Sequence, residues 1–430
     1  MVKAIKKSYF WFDFAVIILQ ISRGLTIIGS GFDDILPIPY GIGWLCFMTL
    51  AYFIRFGTQS NYMQEKEKGI FKLFFIIYFF DILQSLFLGN SSGFVRIITL
   101  LYLYFFLKYL FALYKDGGFD ISVITRPYVG LSLYNVGVVL LSAILILMGV
   151  ISPTSNQLSS NSLLYDNVVN GRTEYFFPGY LSVCTLNSRV LIDFGIPMLT
   201  GLSHEPHVFC MLILPSLFLL FGKRSSMLVK IGILLSYLLV MVVATSTTAF
   251  LCFSVVIIIE EIWSMLIGKN SKFQAFVIIG IIVFVVIKGQ LVSNLIVEMM
   301  VERTTAGSAS SGSMDYSAAT LEYVVTPDSF FGSGNLPGGV GKKVLNSQIG
   351  FVTCILDLAL YTWMLIMVFR NITSKNKYKH YVGMAVLYFS IHLLKLSYAI
   401  ITYPFFLFML FVIWAVNRLP EEDFHGVFKN

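Results

Sequence analysis

Hydrophobic and polar positions along this chain segregate into blocks. Apolar runs of roughly 20 residues, the length a helix needs to cross a bilayer, recur with polar breaks between them. Twelve such runs fall at about 9–29, 38–57, 70–89, 93–114, 129–151, 206–222, 229–245, 248–268, 273–289, 349–370, 382–401 and 403–418. In lipid they must be helices, because an unclosed strand leaves backbone groups without partners. They are also too long and unbroken for barrel strands. The expected fold is all-α: a polytopic membrane helix bundle of about 12 spans, forming one integral membrane domain over residues 1–430. Most polar breaks are short, but two are large, at 152–205 and 290–348.

Composition supports this pattern. Apolar residues make up 57% of the chain and charged residues 12%, against about a quarter charged in a soluble domain. The mean hydropathy is +0.81. The net charge of +7 is therefore read by location, not as a nucleic-acid signal. The basic head of "MVKAIKKSYFWFDFAVIILQ" precedes an apolar body with no small-residue cleavage site, which predicts an uncleaved first span. Five scattered cysteines without CxxC or metal-type spacing predict neither a disulfide framework nor a zinc site.

Lysines and arginines set the expected orientation. With both termini in the cytoplasm, 21 of the 30 basic residues fall on the inner side. The other nine are Arg23, Arg96, Arg172, Arg189, Lys288, Arg303, Lys342, Lys343 and Lys395. They lie on the outer side or within spans, so each needs a partner or a task. Arg23 and Arg96 sit in or at the outer ends of spans, where a charge costs a few kcal/mol or more. Snorkelling is the bland alternative for Arg96, and Asp13 and Asp81 are possible ion partners for both. Arg172, Arg189 and Arg303 lie in the two large loops. Guanidinium groups bind phosphate oxygens in a bidentate way, so these five arginines are candidates for a lipid phosphate or pyrophosphate.

The first large loop becomes apolar toward its end, which suits a segment dipping into the membrane surface. It closes on "GLSHEPHVFCMLILPSLFLLFG" at 201–222. Glu205-Pro206 reads as a helix start, with proline in the first turn and acid at the positive helix end. Gly201 and Ser203 read as a flexible, hydrogen-bonding approach. Capping explains Glu205 but not His204 and His207, which lie three apart. Glu205, His204 or His207 is the candidate general base for a hydroxyl. "TSTTAF" at 245–250 reads as a structural turn whose hydroxyls serve the backbone. The second loop opens on "QLVSNLIVEMMVERTT", whose spacing suits a helix lying on the interface.

These pieces resemble the O-antigen polymerase (Wzy-type) family of bacterial oligosaccharide repeat-unit polymerases. "GLSHEPHVFCMLILPSL" is similar to that family's G-x-x-x-EP stretch. "VERTTAGSASSGS", "FFGSGN" and "LNSQIGFVTCILDLALYTW" resemble its second outer loop, and "ATSTTAFLCF" its small-polar turn. Arg189 and Gly201 enclose eleven residues where the family pattern has ten, and Arg303 has no glycine at that distance. The histidine of the related O-antigen ligases has no counterpart in "KKVLNSQIG", where Asn346 stands.

The resemblance implies a GT-C-like, metal-independent, inverting glycosyltransferase of the bacterial plasma membrane that needs no cofactor. Its substrates would be undecaprenyl-pyrophosphate-linked oligosaccharides, polymerised at the outer face into surface polysaccharide such as lipopolysaccharide O-antigen. A separate chain-length regulator protein is the implied partner, alongside membrane lipids and no nucleic acid. Arg23, Arg96, Arg172, Arg189 and Arg303 would hold pyrophosphate and glycan, and Glu205, His204 or His207 would take the acceptor's proton. The alternatives are a lipid-linked oligosaccharide flippase, which commonly shows two similar halves, and a ligase-like glycan transferase.

Overall fold

The computed structural model describes residues 9–23, 25, 41–57, 69–87, 92–151, 174–176, 183–185, 198–203, 206–222, 225–244, 246–267, 351–393 and 404–419. Within them the chain forms α1 Phe10–Ser22, α2 Ile42–Phe56, α3 Gly69–Phe87, α4 Ser92–Asp116 and α5 Ser122–Leu147. Three short strands follow: β1 Glu174–Phe176, β2 Val183–Thr185 and β3 Met198–Leu199. Then come α6 Pro206–Phe221, α7 Met227–Ala244, α8 Thr247–Ile267, α9 Phe351–Ile372, α10 Lys377–Leu393 and α11 Pro404–Asn417. The run at 273–289 and the second large loop lie outside the described residues.

Among the described residues, 96–116, 122–147 and 227–244 are long and apolar enough to cross a membrane. The fold is therefore that of a helical membrane protein. Its outward stripes agree: Leu251, Val255 and Ile258 on α8 are exposed at helical spacing, as are Leu228, Leu235 and Leu239 on α7. Contiguous exposed apolar stripes suit lipid better than water.

Three helices form the centre. In α6 every residue from Phe209 to Phe221 is buried, and in α11 every residue from Pro404 to Val416. In α10 the same holds from Val382 to Ser390. A helix that is apolar all round belongs inside. α10 packs between α6 and α11. α5, α7 and α8 lie against α6, while α1, α4 and α9 lie against α11. Rings tie α4 to α11: Phe111 meets Phe411 at 4.8 Å and Trp414 at 4.9 Å between centroids. Such aromatic pairs contribute about 0.5–1.5 kcal/mol beyond their area.

Several helix starts differ from the apolar pattern, and capping explains them. α5 begins at Ser122 rather than 129, because Asp120 accepts from Ser122 N–H at 2.8 Å and from its hydroxyl at 2.6 Å. Pro127 lies in the second turn of α5, where its missing N–H forgoes the helical bond to the Val123 carbonyl. α10 begins at Lys377 rather than 382, because Asn376 Oδ1 accepts from Tyr378 N–H at 3.0 Å and Lys379 N–H at 3.3 Å. Satisfying orphan N–H groups in this way stabilises a helix start by about 1 kcal/mol. Polar residues thus extend both helices beyond their apolar cores.

The first large loop is not purely helical or irregular, as an all-α expectation implies. It carries an antiparallel sheet in the order β1-β2-β3, with Tyr175 opposite Cys184 and Cys184 opposite Leu199. β3 packs on α7.

Candidate functional site

α1, α2 and α4 form a group with two differently built ends. At the end where α1 starts, Arg55 Nε donates to both Asp13 oxygens at 3.1 and 3.2 Å. Arg55 Nη2 donates to Asp116 at 2.6 Å, and Tyr109 OH donates to Asp13 at 2.5 Å. Asp13 therefore pairs with Arg55, not with Arg23 or Arg96. The reason is geometric: Arg23 lies ten residues on, about 15 Å along a helix rising 1.5 Å per residue.

At the other end, α1 stops at Ser22 and Arg23 leaves the helix with ψ 126°. Its guanidinium lies over the rings of Tyr102, at 4.5 Å, and Trp44, at 5.2 Å. Cation–π contact of this kind contributes about 0.5–2 kcal/mol. Gly41 makes room, since a Cβ there would sit 3.1 Å from Arg23 Nη2. Tyr102 OH donates to Gln20 Oε1. Arg23 Nη1 and Gln20 Nε2 are both buried without a hydrogen-bond partner. Arg96 is buried on α4, six residues before Tyr102, or about 9 Å along the axis.

The "GLS" turn forms the second part of the site. Gly201 has φ +56°, and a Cβ there would meet Asn135 Oδ1 and the Phe209 ring at 2.7 Å. Asn135 Oδ1 accepts from Leu202 N–H at 3.0 Å. Ser203 N–H donates to Thr200 O at 2.9 Å, and Thr200 Oγ1 donates to Ser203 O at 2.6 Å. Thr200, Gly201, Leu202 and Ser203 are all buried. The approach to α6 is thus a fixed turn rather than a flexible one. Asn135 lies twelve residues before the end of α5, so the turn sits about 18 Å short of that end. Irregular backbone at such depth requires its polar groups to be met inside the protein; Asn135 and Thr200 do this. Ser203 Oγ is buried there without a partner.

This turn and the Arg23 segment lie within about one helical turn of each other along the bundle. A Cβ on Gly130 of α5 would touch Phe14 of α1 at 3.2 Å. From that contact both helices run the same way, because α5 returns from α4 through the short turn 117–121. From there Asn135 is five residues on, about 7.5 Å, and Arg23 nine residues on, about 13.5 Å, so the turn lies about 6 Å short of Arg23 along the bundle.

Behind the turn, α6 is interrupted by Pro215, whose missing N–H weakens the helical ladder. Side chains serve the nearby carbonyls: Tyr128 OH donates to Leu212 O at 2.7 Å and Ser216 Oγ to Ile213 O at 2.6 Å. Ser246 Oγ accepts from Ala249 N–H at 3.3 Å, so the small-polar turn caps α8 as expected. Tyr388 OH and His392 Nδ1 lie 3.0 Å apart, both buried on α10.

Of the candidate residues, His207 is half-buried in the first turn of α6. Arg23 packs on Trp44 of α2 and Tyr102 of α4, and Arg96 lies on α4, whereas His207 starts α6, which packs on α5. His204, Glu205, Arg172, Arg189 and Arg303 lie outside the described residues, as does the side chain of Asp81. Gln20, Asn135 and His392 were missed by the sequence reading. Each is a polar residue inside an apolar run, and that signal by itself could have found them. The chain matches no family model, no curated protein and no solved structure.

Proposed function

We propose that this chain is a polymerase of lipid-linked oligosaccharide repeat units, working at the outer face of a bacterial plasma membrane. The proposal includes about twelve spans in a GT-C-like arrangement, with both termini in the cytoplasm. The observation that carries it is the buried turn Thr200–Ser203. It leads toward the first turn of α6, which carries His207, within about one helical turn of the stacked Arg23 along the bundle. A base and a cation within about one helical turn of each other suit attack by a sugar hydroxyl on a carbon bound to pyrophosphate. The bond to pyrophosphate breaks as the glycosidic bond forms. Arginines stabilise the leaving charge, and Glu205 or a neighbouring histidine takes the hydroxyl proton. The loop arginines Arg172, Arg189 and Arg303 and the membrane Arg96 fill the same anion-holding role in this reading.

The test is a gel of surface polysaccharide after gene deletion and complementation. Deletion leaves single repeat units on the surface, and Glu205→Ala or Arg189→Ala abolishes ladders while the protein stays in the membrane. A surface lacking any repeat unit would instead indicate a flippase. Normal ladders from both variants would return "GLSHEP" to a capping role.

A further inference from the structure

We infer that Gln20 and Arg23 form a buried site for one phosphate oxyanion, carried by a lipid headgroup or free. Gln20 is fully buried, and its Nε2 has no partner. Its carbonyl already accepts from Tyr102 OH, so the unmet group of the amide is its N–H donor. Arg23 is stacked on two rings by its faces. The five N–H groups of a guanidinium lie in its plane, so stacking leaves its edge for an acceptor, and Nη1 is the edge atom without one. Both residues lean on Tyr102 and sit three apart at the end of α1. The unmet groups of these two residues are both donors, and two donors select a ligand that accepts, which is what a phosphate presents.

The surroundings favour the anion further. Arg96 is a second buried cation on the same half of α4. The carboxylates of α1 and α4, Asp13 and Asp116, are both engaged with Arg55 at the opposite end. Leaving two buried donors unmet costs about 1–3 kcal/mol each, and one bound oxyanion removes both penalties. Both nitrogens are covered, so the ligand enters by parting this end, where α1 has already left helical geometry at Arg23. A lipid carrier for that phosphate rests on the polymerase reading; the site itself does not.

The experiment measures binding to the purified full-length protein in nanodiscs. The probes are a polyprenyl monophosphate, the matching polyprenol, and inorganic phosphate. Wild type should hold the polyprenyl phosphate about tenfold or more tighter than the polyprenol, the size of one charge-assisted hydrogen bond. Gln20→Glu supplies an internal carboxylate for Arg23, so it should abolish that preference while leaving the melting temperature at or above wild type. Arg23→Gln removes the charge and should also abolish it, so a folding failure in one variant leaves the other decisive. Inorganic phosphate bound as tightly, with the same sensitivity to both variants, supports the site and assigns it to the free ion. Equal binding of polyprenol and polyprenyl phosphate, or binding that neither variant changes, overturns the site. Variant-sensitive binding with intact polymer ladders after gene deletion keeps this site and sinks the polymerase reading. Lost ladders without such binding do the reverse.

Discussion

Arg55 and Arg23 occupy opposite ends of the same three helices; each lies over two aromatic rings, and they differ in their polar partners. Arg55 makes hydrogen bonds to Asp13 and Asp116, and Asp13 takes a further one from Tyr109. Arg23 has aromatic rings on its faces, and no described carboxylate is paired with it. Both ends carry a tyrosine from α4, Tyr109 at one and Tyr102 at the other, seven residues apart on one face of the helix. Their hydroxyls differ in what they meet: a carboxylate in one case and an amide oxygen in the other. The closed end staples helices. The open end keeps donors in reserve. Charge buried in a membrane bundle is thus of two kinds, and partner count separates them better than depth does.

The largest break in this comparison is Arg55→Ala. It leaves Asp13 buried with only Tyr109 as partner, and losing one member of a buried pair costs about 3–5 kcal/mol. Thermal or chemical unfolding in detergent reads this directly. A loss below about 1 kcal/mol, the size of an exposed pair, would remove the closed end's claim to be a staple. Tyr109→Phe comes next. It deletes a hydrogen bond to a charged group, a change of about 1.5–3 kcal/mol. Tyr102→Phe deletes one to a neutral amide, about 1 kcal/mol. The ordering Tyr109 above Tyr102 is the sharper result. Equal losses would mean that the two ends are built alike.

The sequence made some of this legible. The helical class followed from the apolar runs, and each of the eleven helices among the described residues overlaps one of them, because burial in lipid and burial in the bundle demand the same residues. It also singled out Arg23 as needing a partner or a task. It could not pair Asp13 with Arg55, because Arg55 reads as one more topology-setting cation beside Lys66, Lys68 and Lys72. Only the antiparallel contact of α1 and α2 brings Arg55 and Asp13 together. Asn135 was equally hidden: a lone amide in "LYNVG" gives no sign that it holds a turn 67 residues away in sequence. The strands at 174–176, 183–185 and 198–199 are too short for alternation to announce them. What the apolar pattern misses is consistently polar and long-range.

The smallest expected effect is the most telling. Arg23→Gln should change unfolding stability by less than about 1 kcal/mol. It forfeits a cation–π stack of about 0.5–2 kcal/mol, but it also removes a guanidinium nitrogen buried without a partner, a penalty of similar size. The two terms nearly cancel. Arg55 has no such relief, because its removal strands Asp13, whereas removal of Arg23 strands nothing. Ligand binding is the quantity that Arg23→Gln should alter. A stability loss as large as that of Arg55→Ala would mean that Arg23 is a structural member in its own right, and the contrast between the two ends would vanish.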